Sequence, residues 1–257
     1  MFEHFKGEEV FVKKVLDYLD QVQYKQRLIL TQFLDPYHQS IVKSVIGHQD
    51  EVQVLENGGF IHSESQRIII APYFYEIEKE DFEIVVCKII YAKNFEKLTH
   101  RDILGALMSL GIKRELFGDI MEVAEEFGIQ VHALITVKDI YEYLKDHLSM
   151  IKRSKVKFVE WDEEIEVKND YLVKSFIVSS FRLDKIISSF YKISRQKAAE
   201  FIRAGHVKVN HKPVEQINYL CNNKDIISFK KHGRVMFVDC NKQTRSDNYV
   251  VEGYFYK

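Results

Sequence analysis

Apolar residues along this chain change their spacing several times, and each change marks an element. In EEVFVKKVLDYLDQV (8–22) they recur at helical spacing, which puts Val12, Val15, Leu16 and Leu19 on one face. RLILTQFL (27–34) reads as a strand. Asp35 and Pro36 then form an N-cap and first-turn pair for a helix carrying Ile41, Val42 and Val45. VQVLENGGF (52–60) and RIIIAPYFY (67–75) are predicted to pair as strands about a turn at Asn57-Gly58-Gly59. The charged run Glu78-Lys79-Glu80-Asp81 marks a first boundary.

FEIVVCKIIYA (82–92) is nearly continuous in apolar residues, the pattern of a strand buried on both faces. Thr99 caps a predicted helix over 100–111, which Gly111 ends. ELFGDIMEV and GIQVHALI (128–135) read as strands joined by a charged turn. Thr136 with Asp139 forms a capping arrangement for VKDIYEYLKDHLSMI, whose Val137, Ile140, Tyr141, Leu144 and Leu148 share a face. VKFVEW (156–161) closes a β-α-β-β-α-β order, the ferredoxin-like or RRM-like arrangement.

Residues 162–180 read as a linker plus a lead-in strand. Two short amphipathic helices follow. Leu183, Ile186, Ile187 and Phe190 line the first; Ala198, Phe201 and Ile202 line the second, between an N-cap at Ser194 and a stop at Gly205. Val207 and Val209 then alternate with His206, Lys208 and Asn210, and Asn210–Pro213 reads as a turn. IISF (226–229) and VMFV (235–238) are a closing strand pair around Lys230–Arg234. The expected class is α+β, divided into an N-terminal α/β unit (1–80), a ferredoxin-like unit (81–161), a linker with its strand (162–180) and a C-terminal unit (181–257).

Charge adds what periodicity does not contain. The net charge of −1 conceals a division: from Lys174 onward there are 16 Lys+Arg and 7 Asp+Glu, while the preceding 173 residues carry 21 and 31. A basic C-terminal part on an acidic body points to a polyanion partner. Arg182, Lys185, Lys192, Arg195, Lys197, Arg203, Lys208 and Lys212 lie in or just after the helix pair, against only Asp184 and Glu200. Arg195 and Lys197 fall in the first turn of the second helix, where cations oppose the helix dipole. A compensating external anion is therefore expected, and a phosphate would also find the free N–H groups of the helix start. The alternative is an ordinary solvated face.

These residues resemble the αL RNA-binding domain named after the small-subunit ribosomal protein S-four. The matching positions are Arg182-Leu183-Asp184, Ser194-Arg195, Gly205-His206-Val207-Lys208-Val209-Asn210 and Lys212-Pro213. Upstream, Phe33–Pro36, Gly58-Gly59-Phe60, His100-Arg101-Asp102, Leu104-Gly105, Gly111-Ile112, Arg114 and Gly118-Asp119-Ile120 resemble the YlmH family of bacterial RNA-binding proteins. The family's Glu-Arg pair is altered, since Glu64 is followed by Ser65 and the nearest arginine is Arg67. The resemblance implies contact with structured RNA through Arg182, Lys185, Ser194, Arg195, Lys197, Arg203, Lys208, Asn210, Lys212 and Arg234. It also marks His100, Arg101, Asp102 and Arg114 as a motif of the central unit. The implied partners are rRNA and tRNA on the large ribosomal subunit, with a part in handling stalled peptidyl-tRNA.

Catalytic signatures are missing. There is no phosphate-binding Gly-rich loop, nucleophile elbow or cysteine in an activating motif, and no cofactor or metal is expected. His206 and His211 flank a turn rather than share a helix face, which argues against a metal site. His100-Arg101-Asp102 reads as a helix start with Asp102 near the positive dipole end. The central unit lacks the Gly-aromatic-x-aromatic strand of an RNA-stacking sheet, so it is expected to be scaffold or protein-contact surface. The favoured reading is a cytoplasmic, monomeric, non-enzymatic RNA-binding protein. An RNA-modifying enzyme of pseudouridine synthase or methyltransferase type is the runner-up, though no site for either chemistry is visible. An adaptor in cell division is a third reading. No apolar run is long enough for a membrane span, and three cysteines without ligand spacing suit a reducing compartment.

Overall fold

The computed structural model describes residues 5, 7–61, 63–92, 97–126, 129–161 and 171–256. Within them the chain is α+β, with six α-helices and three antiparallel sheets. It divides into two compact units, 1–167 and 168–257.

The first unit begins with α1 (Glu9–Lys25), β1 (Ile29–Leu30), α2 (Pro36–Ile46), β2 (Val52–Asn57) and β3 (Arg67–Pro72). Asp35 caps α2 as expected, its carboxylate accepting from His38 N at 2.9 Å. The strand predicted over 27–34 is shorter, because after Leu30 the Thr31 hydroxyl replaces a backbone partner and accepts from Ile68 N at 2.8 Å. The sheet order is β1-β3-β2, and β3 is buried along its whole length.

The same unit continues with β4 (Ile84–Ala92), α3 (His100–Ser109), β5 (Phe117–Glu126), β6 (Ile129–Val137), α4 (Lys138–His147), β7 (Met150–Ile151) and β8 (Ser154–Glu160). The sheet order β5-β6-β4-β8-β7 is the ferredoxin-like arrangement with β7 added at the edge. Contrary to the expectation for 82–92, β4 alternates: Val85, Cys87, Ile89 and Tyr91 are buried while intervening residues are half-exposed. Thr136 does not cap α4. It ends buried in β6, donating its hydroxyl to Leu116 O at 3.1 Å, and Val137 takes the cap position without a side-chain bond. Residues 124–126 of the charged turn read between the strands belong to β5, while Phe127, Gly128 at the start of the second predicted strand, and residues 162–170 of the linker lie outside the described residues.

The upstream motif residues meet inside this unit. Asp119 accepts from the Glu64 and Ser65 N–H groups at 2.7 and 3.3 Å. Gly118 lies against Phe33, where an added Cβ would come within 3.0 Å of the ring. Gly59, at φ +89, lies against Val86, Ile135 and Ile84. Arg67 is buried, donating to Thr31 O at 2.8 Å and Phe82 O at 2.7 Å, with Glu83 at 3.6 Å. Burial lowers its pKa against the pull of Glu83. These residues hold the folded chain together.

The second unit contains β9 (Tyr171–Val178), α5 (Leu183–Tyr191), α6 (Arg195–Arg203), β10 (Val207–Val209), β11 (Lys212–Pro213), β12 (Ile226–Phe229), β13 (Gly233–Gln243) and β14 (Tyr249–Tyr256). The sheet order is β11-β10-β12-β13-β14-β9. The apolar faces of α5 and α6 pack onto Val207, Val209, Ile227, Phe229, Val235 and Phe237. Asn210 and His211, both at positive φ, form the two-residue hairpin turn from β10 to β11. Gly205, at φ +68, follows α6 and stops it.

Candidate nucleic-acid interface

Asp184 organises the start of the helix pair. It is 2% exposed and is the second residue of α5. Arg182 donates to it through Nε at 3.0 Å and Nη2 at 3.3 Å, and Arg195 through Nη2 at 2.7 Å and Nε at 3.2 Å. Burial pushes the Asp184 carboxyl up. Hydrogen bonds from Arg182 and Arg195 more than offset that and hold it below the ordinary carboxylate range. Arg195 therefore needs no external anion, which corrects the expectation from charge and dipole alone. The compensating charge comes from the neighbouring helix.

The cluster is nevertheless unbalanced, since two guanidiniums share one carboxylate. The Arg195 side chain is 57% exposed, so it reaches the buried acid while presenting charge to solvent. Ser194 caps α6 by accepting from Lys197 N at 3.2 Å. Lys197 itself, at the third helical position, is exposed and has no ion-pair partner among the described residues. The mismatch of cation and dipole is real at Lys197 and not at Arg195.

The other predicted contacts differ in what already holds them. Arg203 at the end of α6 and Lys208 in the middle of β10 are exposed, with no ion pair among the described residues. Lys212 is exposed in β11, and Lys185 donates to the Ser179 hydroxyl at 2.8 Å. The Asn210 side chain is occupied structurally: Nδ2 donates to Asp225 at 2.8 Å and Oδ1 accepts from Ile226 N at 2.8 Å. Arg234 lies on the sheet rather than with the helices, its guanidinium 4.7 Å from the centre of the Tyr256 ring. The structure thus brings Arg182, Ser194, Arg195 and Lys197 together at the start of α6.

In the central unit, Asp102 completes a capping box. It accepts from the Thr99 hydroxyl at 2.7 Å and Thr99 N at 2.9 Å, while Lys152 pairs with it at 2.9 Å. The Thr99 hydroxyl first, then its N–H and Lys152, bring the Asp102 carboxyl down to about 2. Arg114 donates to the Phe117 and Gly118 carbonyls and fixes the approach to β5. His100 is held below its ordinary imidazole value by desolvation, then by Arg114. Arg101 is exposed. Asp102 and Arg114 thus serve the fold.

Sequence reasoning counted Asp184 only as a balancing charge. The Arg182-Leu183-Asp184 triplet carried part of the signal, but the bond to Arg195 joins separate helices and follows no periodicity. Three tyrosines on the C-terminal sheet, Tyr171, Tyr254 and Tyr256, went unremarked because their strands lie at the two ends of the unit.

Comparison with known proteins covers nearly all of the chain. Residues 7–74 match the family described as "YlmH, N-terminal", residues 78–164 the one described as "Putative RNA-binding domain in YlmH", and residues 181–227 the S4 domain. The Bacillus subtilis (strain 168) protein named "Ribosome-associated protein quality control protein P2" is 33% identical over 260 residues, 98% of this chain and 96% of that one. The solved structure named "Cell division protein ylmH from Streptococcus pneumoniae" is 29% identical with a TM-score of 0.51, covering 63% of this chain and 95% of that chain.

Proposed function

We propose, for a chain that belongs to the YlmH family, a non-catalytic role in which α5 and α6 dock on structured RNA. The observation that carries it is the start of α6, where Arg195 and Lys197 present charge beside the helix N–H groups while Asp184 neutralises only one of the two arginines. Arg203 and Lys212 extend the cationic surface, whereas Lys208 alternates with the buried Val207 and Val209 and lies on the other face of the sheet. The relative named as a ribosome-associated quality control protein supports a more specific reading: large-subunit rRNA and tRNA as the targets, and a part in handling stalled peptidyl-tRNA. In this reading the basic C-terminal unit grips RNA and the acidic front part faces tRNA or protein, in the cytoplasm and as a monomer. Crosslinking in cells followed by sequencing of the bound RNA tests it. Recovery of large-subunit rRNA with tRNA supports the reading, and recovery of neither overturns it.

The name of the Streptococcus structure favours one alternative, an adaptor in cell division. That reading expects division proteins and no RNA among the crosslinked partners.

A further inference from the structure

The six-stranded sheet of the second unit has two faces of different chemistry. One is apolar and lies under α5 and α6. On the other, the register sets Lys208 beside Ser228, Ser228 beside Arg234, and Tyr256 beside Tyr171. Arg234 over the Tyr256 ring joins these pairs into one row crossing the sheet. The adjacent row runs Ile226, Met236, Tyr254 and Val173. Tyr171 meets Tyr256 edge-on at 5.0 Å and Tyr254 at 5.8 Å, so three tyrosines cluster beside the Arg234 cation. Glu252 lies on this face and accepts from the Tyr254 hydroxyl at 3.1 Å. β9, β13 and β14, which carry the cluster, lie outside the 181–227 segment that matches the S4 domain.

We propose that this sheet face is a separate RNA-binding surface that takes unpaired bases of a single strand, while the helix pair takes the phosphates of structured RNA. The proposal rests on the RNA-binding reading above and names a substrate class for a different face. Aromatic rings on a sheet stack bases of any identity, and a neighbouring guanidinium stacks on bases and neutralises the backbone. Lys208 and Arg234 supply that charge in line with the rings. A duplex hides its base faces, so the sheet face discriminates in favour of unpaired RNA.

The test uses the full chain, a fluorescent ten-nucleotide oligouridine and a ten-base-pair RNA duplex at one fixed salt concentration. Tyr254→Ala with Tyr256→Ala should weaken oligouridine binding by about 10-fold or more, leave duplex binding within about 2-fold, and be rescued by Phe at both positions. The proposal is overturned if the alanine variant binds oligouridine like the parent, if the phenylalanine variant fails as badly, or if duplex binding falls equally. It is also overturned if Lys197→Ala with Arg203→Ala abolishes oligouridine binding, because the strand would then ride on the helices. A parent that binds duplex but not oligouridine removes this proposal alone. A parent that binds neither removes the RNA-binding reading as well. Loss of a protein partner by the alanine variant, with oligouridine binding unchanged, would assign the face to protein instead.

Discussion

Two helix starts in this molecule share a plan and differ at one position. α3 opens with Thr99 as cap and α6 with Ser194, and each cap hydroxyl accepts from the N–H three residues on. Both place a cation in the first turn, Arg101 in one and Arg195 in the other. At that third position α3 has Asp102, which turns back to bond Thr99, whereas α6 has Lys197. The first start closes on itself with a carboxylate of its own and Lys152 outside it. The second borrows Asp184 from α5, uses it up on Arg182 and Arg195, and leaves Lys197 facing the positive end of the helix. A helix start with its own carboxylate is a finished piece of fold. One with an unmatched cation is ready for an anion.

The sharpest way to break the comparison is to remove the borrowed carboxylate. Asp184→Ala leaves Arg182 and Arg195 without their buried partner, and should destabilise the second unit by about 3 kcal/mol in urea denaturation, at the lower end of broken buried pairs because both guanidiniums keep solvent access. Arg195→Glu should also destabilise, since it sets a like charge against Asp184. If it unfolds at the parent's urea midpoint, the cluster is not holding the helices. A smaller effect is expected at the other start. Thr99→Ala removes the cap of α3 and should cost about 1 kcal/mol, with RNA affinity unchanged.

Acid sharpens the contrast further. The folded Asp102 carboxyl titrates at about 2 instead of its ordinary 3.8, so its contribution is fully present above about pH 4 and is lost as pH falls towards 2. Asp102→Asn should flatten the stability profile in that window, measured by thermal denaturation from pH 5 to pH 2. The smallest effect, and of opposite sign, is expected for Lys197→Asp. It gives α6 the α3 arrangement and should raise stability by a few tenths to about 1 kcal/mol.

What could be read in advance was local. Asp35, Thr99 and Ser194 announce their helices through cap chemistry that depends on the next three residues, and the αL motif lies in one continuous segment. Expectations failed where a distant partner decides the outcome. FEIVVCKII looks buried on both faces because Val86 and Ile84, on its outer side, are apolar for contact with Gly59 of the preceding hairpin. Thr136 looks like a cap because its spacing to Asp139 is right, yet β6 runs on and the hydroxyl finds Leu116. Asn210, expected by its position to contact RNA, also has a structural use that no local pattern shows, with its amide bonded to Asp225 and to Ile226 N. The pairing of Arg195 with Asp184 crosses 11 residues and two helices, so no spacing rule reaches it.

Ribosome co-sedimentation of the full chain carrying Lys197→Glu and Arg203→Glu tests the central claim most directly, with Arg101→Glu at the other helix start as the control. Neither Lys197 nor Arg203 has an ion pair among the described residues, and the dipole favours Glu at the start of α6 and opposes it at the end, so the thermal midpoint should stay near the parent's. The pair should be lost from the ribosome fraction, and the log–log salt slope of RNA binding should be shallower by about 2. The Arg101→Glu chain should sediment like the parent. Co-sedimentation of the double variant at the parent's level, or equal loss from Arg101→Glu, would contradict the assignment of the α6 start as the RNA contact.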